Sequence, residues 1–171
     1  DREDYGPDSL LGRESQRDTV LKRDLREALE RLNPGHPDEA YQQAIDALTA
    51  LDATRATVLV NRDFYALVRD GVPVTYRTDD GQLHNPRLRV VDFENPDANR
   101  FLAVRELYVQ GPIYRRRADI VGFVNGLPFL FIELKRSTKE VRVAYDHNLK
   151  DYKETVPHLF HHNTFVMLSN G

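Results

Sequence analysis

There is no cysteine in the sequence, which excludes a disulfide framework and a thiolate zinc site together. Nor does any apolar run approach the ~18 residues that span a membrane, and the first residues carry no secretory-signal pattern. A cytoplasmic location with no membrane contact is therefore expected. No G-x-x-x-x-G-K-[ST] loop occurs, so the chain has no phosphate cradle of that kind. G-x-S-x-G and paired Ser/His arrangements are missing too, which removes the common acyl-transfer sites.

What is present is ordinary globular composition: 171 residues, 40% hydrophobic and 30% charged, enough for one domain with a sizeable core. The net charge of −3 is unevenly placed. Residues 1–114 carry 15 Lys and Arg against 21 Asp and Glu, whereas 115–171 carry 9 against 6. The basic part begins with Arg115, Arg116 and Arg117 and continues through Arg136, Lys139, Lys150 and Lys153. Such a run suits a phosphate-binding face as well as a solvated surface of mixed sign.

The most informative stretch is RADIVGFVNGLPFLFIELKR, Arg117 to Arg136. Phe129 to Ile132 is a continuous run of strand formers, the pattern of a strand buried on both faces. Glu133 and Lys135 follow it, two residues apart and so on one face. Burying such charges is costly unless they are paired or hold a metal. Asp119 opens a second strand, Ile120 to Val124, and Asn125-Gly126 joins the two as a hairpin. Two carboxylates and an ammonium then converge at one sheet end, which is the chemistry of metal-dependent phosphodiester hydrolysis. Hard carboxylate oxygens hold Mg²⁺ and leave room for water and a phosphate oxygen, while a lysine orients the water or holds the phosphate. An E-x-K on a strand is most often a surface ion pair; the buried run before it and the hairpin partner argue for a site.

The register imposes a condition. A plain two-residue turn at Asn125-Gly126 sets Asp119 against Ile132, on the wrong face for Glu133. A one-residue shift is therefore expected, from a three-residue glycine bulge at Asn125 to Leu127 or from a bulge within either strand.

The remaining chain reads in order. DREDYGPDSLLGRE is polar loop and starts without methionine, which predicts polypeptide before it. Val20, Leu21, Leu25, Ala28, Leu29 and Leu32 recur at helical spacing from about Ser15 and stop at Asn33-Pro34-Gly35. A second helix follows Pro37, burying Ala40, Tyr41, Ala44, Ile45, Leu48 and Leu51; Thr54 to Arg69 fits helix or strand, and a helix through Asn61 to Arg69, stopped by Asp70-Gly71, is favoured. Val72 to Thr78 is expected to pair with Leu88 to Phe93 across Asp79-Asp80-Gly81, and Phe101 to Val109 is a third strand of the same sheet. A helix over about Val141 to Thr155 ends at Val156-Pro157. It carries Tyr145, Asn148 and Tyr152 on one face. Tyr145 is read as core packing; Tyr152 is expected to bind a phosphate oxygen or support Lys135, with Asn148 beside it. Thr164 to Leu168 closes the sheet, and Ser169-Asn170-Gly171 reads as a turn cut short. His158, His161 and His162 match no zinc spacing and are read as surface residues.

Asp119, Glu133 and Lys135 resemble the D…ExK signature of the PD-(D/E)xK nucleases, with Ala118 where that family name has proline. The longer phrases LREALERLNPGHP (Leu25 to Pro37), NRDFYALVRDGVPVTYR (Asn61 to Arg77), VDFENPDANRFLAV (Val91 to Val104), RRADIVGFVNGLPFLFIELK (Arg116 to Lys135) and NLKDYKETVPHLFHHNTFVMLSNG (Asn148 to Gly171) resemble the amino-terminal nuclease domain of the restriction (motor) subunit of type I restriction-modification enzymes. The similarity runs from about Tyr5 to Gly171; a helix that the family has before YGPD is not among these residues.

That resemblance implies an α/β, restriction-endonuclease-like core: a mixed central sheet flanked by helices, with residues 1–71 as its helical amino-terminal part and 72–171 as the nuclease sheet and motif helix. It implies Mg²⁺-dependent cleavage of double-stranded DNA, with Mn²⁺ substituting, inside a bacterial or archaeal cell. Asp119 and Glu133 become metal ligands and Lys135, Asn148 and Tyr152 their catalytic companions; Arg116, Arg117, Arg136, Lys139 and Lys150 are the expected DNA contacts. Asn148 stands where the family has glutamine, an amide with the same donors and less reach. Helicase-like motor domains, which would use ATP, and modification and specificity subunits are implied partners outside this chain. The alternative is a DNA-clamping or subunit-docking domain with a relic site.

Overall fold

The computed structural model describes residues 10–50, 54–135 and 148–170. Three helices come first: α1 (Lys22–Leu32), α2 (Asp38–Thr49) and α3 (Thr57–Asp70). Their buried faces are the predicted stripes, Leu25, Ala28 and Leu29 on α1 and Ala40, Tyr41, Ala44, Ile45 and Leu48 on α2; Leu51 lies outside the described residues. α1 begins later than Ser15, because Leu21 spends its N–H on Gly126 O at 2.8 Å rather than on a helical carbonyl. At its other end Asn33 closes the helix and donates its side-chain amide to Leu29 O at 2.9 Å.

Residues 72–88 depart from the expected sheet. β1 (Val72–Pro73) pairs with β4 (Arg87–Leu88), and β2 (Tyr76–Arg77) with β3 (Leu83–His84), both outside the main sheet. The two ladders share one register and are pieces of one hairpin. Pro73 and Pro86 have no N–H for a continuous ladder, and the turn is tight, with Gly81 N–H on Thr78 O at 2.7 Å. The partner of Val72 to Arg77 is thus Leu83 to Leu88, not Leu88 to Phe93.

The main sheet has the order β5-β6-β7-β8: β5 (Phe101–Gln110), β6 (Arg115–Val124) and β7 (Leu127–Leu134) form an antiparallel meander, and β8 (Phe165–Ser169) runs parallel to β7. Between β7 and β8 lie a short helix, α4 (Lys150–Thr155), and a 3-10 turn, Pro157–Phe160; the expected start of this helix at about Val141 lies outside the described residues. This is the expected mixed sheet with a helical amino-terminal part. One core joins the three helices to the small hairpin; the other lies on one sheet face under α4 and the 3-10 turn, around Val121, Phe123, Phe131, Leu159 and Phe160. No helix among the described residues is long and apolar enough to cross a membrane.

The hairpin turn fixes both layers. Asn125 and Gly126 have φ of 50° and 80°, the pair of left-handed conformations that a two-residue hairpin needs. A Cβ on Gly126 would sit 2.5 Å from Leu21 O and 2.8 Å from Leu25 N, so only glycine lets α1 rest on the turn. Asn125 is fully buried; its amide donates to Val90 O and to Asn99 Oδ1, each at 2.9 Å, and its Oδ1 accepts from Arg100 N at 2.8 Å.

Candidate functional site

The one-residue shift that the site requires is built into β7. From the turn inward, Val124 faces Leu127 and Phe123 faces Pro128, but Gly122 faces Leu130, leaving Phe129 as an extra residue. Of the two expected ways to shift the register, the bulge within a strand is therefore the observed one. Pro128 cannot donate to the ladder and so favours the bulge. The freed Phe129 carbonyl accepts from Thr164 N at 2.8 Å and Asn163 Nδ2 at 3.2 Å, which sets the entry to β8. Beyond the bulge Ile120 faces Ile132, and continuing that register puts Asp119 across from Glu133.

The ladders on both sides of β6 are interrupted at Asp119. On the β5 side, Arg105 pairs with Ile120 and Leu107 with Ala118, while Glu106 between them has φ 56° and no partner in the ladder. On the β7 side pairing ends at Ile120 and Ile132, and the next N–H, Leu134, donates to Asp119 Oδ2 at 2.7 Å. A side-chain carboxylate thus replaces a main-chain acceptor and is anchored by it. Ala118, beside it, is completely buried.

Glu133 is 4% exposed. Its Oε1 accepts from Asn148 Nδ2 at 2.6 Å and from Lys135 Nζ at 3.1 Å. Its Oε2 is buried and has no hydrogen-bond partner among the described residues. Burial of an unsatisfied carboxylate oxygen is costly, so it marks a place for a cation or donor. Lys135 is itself pinned to β8, its N–H donating to Ser169 O at 2.7 Å. Tyr152 edges its ring onto Phe131, centroids 5.1 Å apart, and its hydroxyl donates to the carbonyl of Arg117 rather than to Lys135. Burial, and after it the charges of Glu133 and Asp119, raise the Tyr152 phenol well above its ordinary pKa. Asp119, Glu133, Lys135, Asn148 and Tyr152 are thus gathered at one sheet end, the carboxyl end of β7, away from the Asn125-Gly126 turn.

Fit to a hard divalent ion rests on two carboxylates, since the described residues contain no group of three or more His, Cys, Asp or Glu arranged for a metal. Mg²⁺ needs no more than that: it retains several waters and binds through one or two carboxylates plus phosphate oxygens. The donor chemistry and the orphaned Glu133 oxygen fit it.

Of the expected DNA contacts, Arg116 is occupied inside the fold: Nη2 lies 2.7 Å from Asp151 and Nε donates to Thr155 Oγ1 at 3.0 Å. Arg117 is half exposed beside Glu106, 3.4 Å away, and Lys150 is open to solvent, 4.0 Å from Glu154. Arg136, Lys139 and Tyr145 lie outside the described residues.

The histidines are corrected by the structure. His161 and His162 are 5% and 4% exposed, and His158 is half-buried. The 3-10 turn inserts Leu159 and Phe160 into the core and draws the next two residues in behind them. His162 donates Nε2–H to Leu48 O at 2.8 Å and stands edge-on to Phe64 at 4.8 Å. With Thr19, Thr49, Arg17 and Lys22 the three histidines line a cavity of about 160 Å³. Spacing beside a proline gave no signal of this; the nearest one was the apolar Leu159-Phe160 pair that precedes them.

The family described as "Type I restriction enzyme R protein N terminus" matches residues 1–171, the whole chain. Over 156 residues, 89% of this chain, the sequence is 37% identical to the type I restriction enzyme HindI endonuclease subunit of Haemophilus influenzae. It is 28% identical over 93% of its length to the putative type I restriction enzyme MjaIXP endonuclease subunit of Methanocaldococcus jannaschii. A third relative, the type I restriction enzyme SsaAORF53P endonuclease subunit of Staphylococcus saprophyticus, is 26% identical over 82% of the chain. The match covers only 14%, 16% and 15% of those three relatives. A full-length family match and a relative above one-third identity place the chain in the family of type I restriction enzyme R protein amino termini.

Proposed function

We propose that this chain is the nuclease module of a type I restriction enzyme and hydrolyses phosphodiester bonds of double-stranded DNA with Mg²⁺, Mn²⁺ substituting. The observation that carries the reading is the bulge at Phe129, whose register, continued past Ile120 and Ile132, sets Asp119 across from Glu133, while one buried Glu133 oxygen has no partner among the described residues.

Asp119 and Glu133 are the residues that would hold the ion. When bound, it supplies a lowered pKa for coordinated water and neutralises charge growing on the phosphoryl oxygens. Asn148 and Lys135 fix Glu133 through one oxygen and leave the other for coordination. Lys135, 21% exposed at the side chain and 3.1 Å from Glu133, has an ammonium that would donate to the attacking water or hold the scissile phosphate. Water oxygen bonds to phosphorus and gives up a proton to solvent as the bond from phosphorus to the leaving sugar oxygen breaks, and that oxygen takes up a proton from solvent. Tyr152 acts through the backbone: its bond to Arg117 O steadies the strand two residues before Asp119.

In the intact protein this module works beside an ATP-driven motor and with modification and specificity subunits, in the cytoplasm. The competing reading is a clamping or docking domain with a relic site, for which the Lys135–Glu133 pair at 3.1 Å is the supporting observation. Lys135→Ala in the intact protein separates the two. Cleavage lost with DNA translocation preserved is the expected result; unchanged cleavage removes Lys135 from catalysis and leaves the docking reading.

A further inference from the structure

β6 extends past the catalytic end of the sheet. Its pairing with β7 starts at Ile120, so among the described residues Arg115 to Ala118 pair with β5 alone. At about 3.3 Å per residue the two-stranded arm reaches roughly 15 Å beyond the carboxylates. Its tip is the Gly111–Tyr114 turn, closed by Gly111 N–H on Tyr114 O at 2.8 Å.

The arm is stiff. Gly111 lies against α4 so closely that a Cβ there would collide with Thr155 O. Arg116 ties the arm to Asp151 and Thr155 of the same helix, and Gln110 N–H donates to Gln16 O at 2.8 Å. What it presents to solvent is apolar at the point and basic behind it. Ile113, 79% exposed, is the most exposed large apolar side chain among the described residues, and Tyr114 beside it is 54% exposed. The Arg115 guanidinium lies over the Tyr108 ring at 3.9 Å, and Arg117 is half exposed. An exposed isoleucine on a rigid tip does nothing for the fold.

We propose that the Gly111–Tyr114 arm is a DNA-gripping element, in which Ile113 wedges between base steps from the minor groove while Arg115 and Arg117 meet the flanking phosphates. Aliphatic wedges backed by arginines are the chemistry by which proteins unstack and kink duplex DNA through that groove. The charge of the arm and its place at the catalytic end favour a polyanion over an apolar protein surface. The kink opens the duplex within an arm's length of Asp119 and Glu133. This inference rests on the proposed action on DNA and adds how the duplex is held.

The test uses the full-length protein, a duplex carrying 2-aminopurine as the fluorescent base, and a separate Mn²⁺ titration. Wild type is expected to raise 2-aminopurine fluorescence on binding. Ile113→Ala is expected to abolish that rise and weaken duplex binding about tenfold, the scale of one buried aliphatic side chain, with Mn²⁺ affinity unchanged. Arg115→Gln is expected to lower the salt dependence of binding by about one counterion. Wild-type affinity and fluorescence in Ile113→Ala overturn the inference, and do so whether or not Mn²⁺ binds. Ile113-dependent unstacking in a protein that binds no Mn²⁺ supports the arm and removes the nuclease reading alone.

Discussion

Leu134 N–H donates to Asp119 Oδ2 at 2.7 Å, so a residue proposed as a metal ligand also completes the end of the β6–β7 ladder. The two duties separate chemically. Asparagine keeps an acceptor for Leu134 and loses the negative charge, so Asp119→Asn is expected to fold with a stability change under about 1 kcal/mol. Hard-ion affinity follows the number of charged ligands. Mn²⁺ binding, read by calorimetric titration, should fall by roughly a hundredfold and cleavage with it. Retained Mn²⁺ affinity would take Asp119 out of the metal site.

Asn148 donates to Glu133 Oε1 at 2.6 Å, which supports the proposal that it positions Glu133 rather than meeting the substrate. Residues that orient a ligand typically contribute ten- to a hundredfold to metal affinity or activity. Asn148→Ala should therefore reduce Mn²⁺ affinity and kcat by about that factor and leave the DNA concentration at half-saturation unchanged. Asn148→Gln, with the same amide on a longer stem, should recover most of the loss. A change confined to DNA affinity would contradict the positioning role.

How much of this was legible in the residues depends on what each signal measures. Hydrophobic periodicity found the three helices, the meander and the closing strand, because those elements are held by apolar faces. The condition that Asp119 and Glu133 share a face followed from counting across the Asn125-Gly126 turn. The choice of Phe129 for the bulge did not, since it depends on Pro128 in the ladder and on what the freed carbonyl meets at Asn163 and Thr164. Residues 72–88 were misassigned in partner and in sheet, because alternation identifies a strand and says nothing of where it pairs. The histidines were misplaced for a related reason: polarity reports a preference, and His162 is buried by tertiary packing on Phe64 and Leu48.

That burial gives His162 a pH signature. Desolvation above all, with His161 and His158 adding to it against the Leu48 bond, pushes its pKa down from 6.5 to about 4. A depressed histidine pKa means the unfolded chain takes up the proton first. Its contribution is therefore complete above about pH 6.5 and is lost as the pH falls toward 4, by about 3 kcal/mol in all. His158 and His161 are shifted in the same direction, mainly by burial, and add to the slope. Urea unfolding at pH 7, 6 and 5 should show falling stability. His162→Gln, which retains a donor for Leu48 O, should make the fall shallower; an unchanged slope would mean that His162 is protonated in the fold.

Arg116 and Arg117 are adjacent in sequence and face different tasks, so their substitution should give different measurements. Arg116 holds α4 through Asp151 and Thr155, and α4 carries Tyr152, whose hydroxyl reaches back to Arg117 O. Arg117 pairs with half-exposed Glu106 at 3.4 Å, a pairing weak enough to yield to a phosphate. Arg117→Gln should lower the slope of log affinity against log salt by about one, at every DNA sequence alike. Arg116→Gln should leave that slope unchanged and instead reduce kcat, as the brace on the strand before Asp119 loosens. If Arg116→Gln alone lowered the slope, its guanidinium would have to leave α4 for the DNA, and the rigid attachment of the β5–β6 arm would not survive binding.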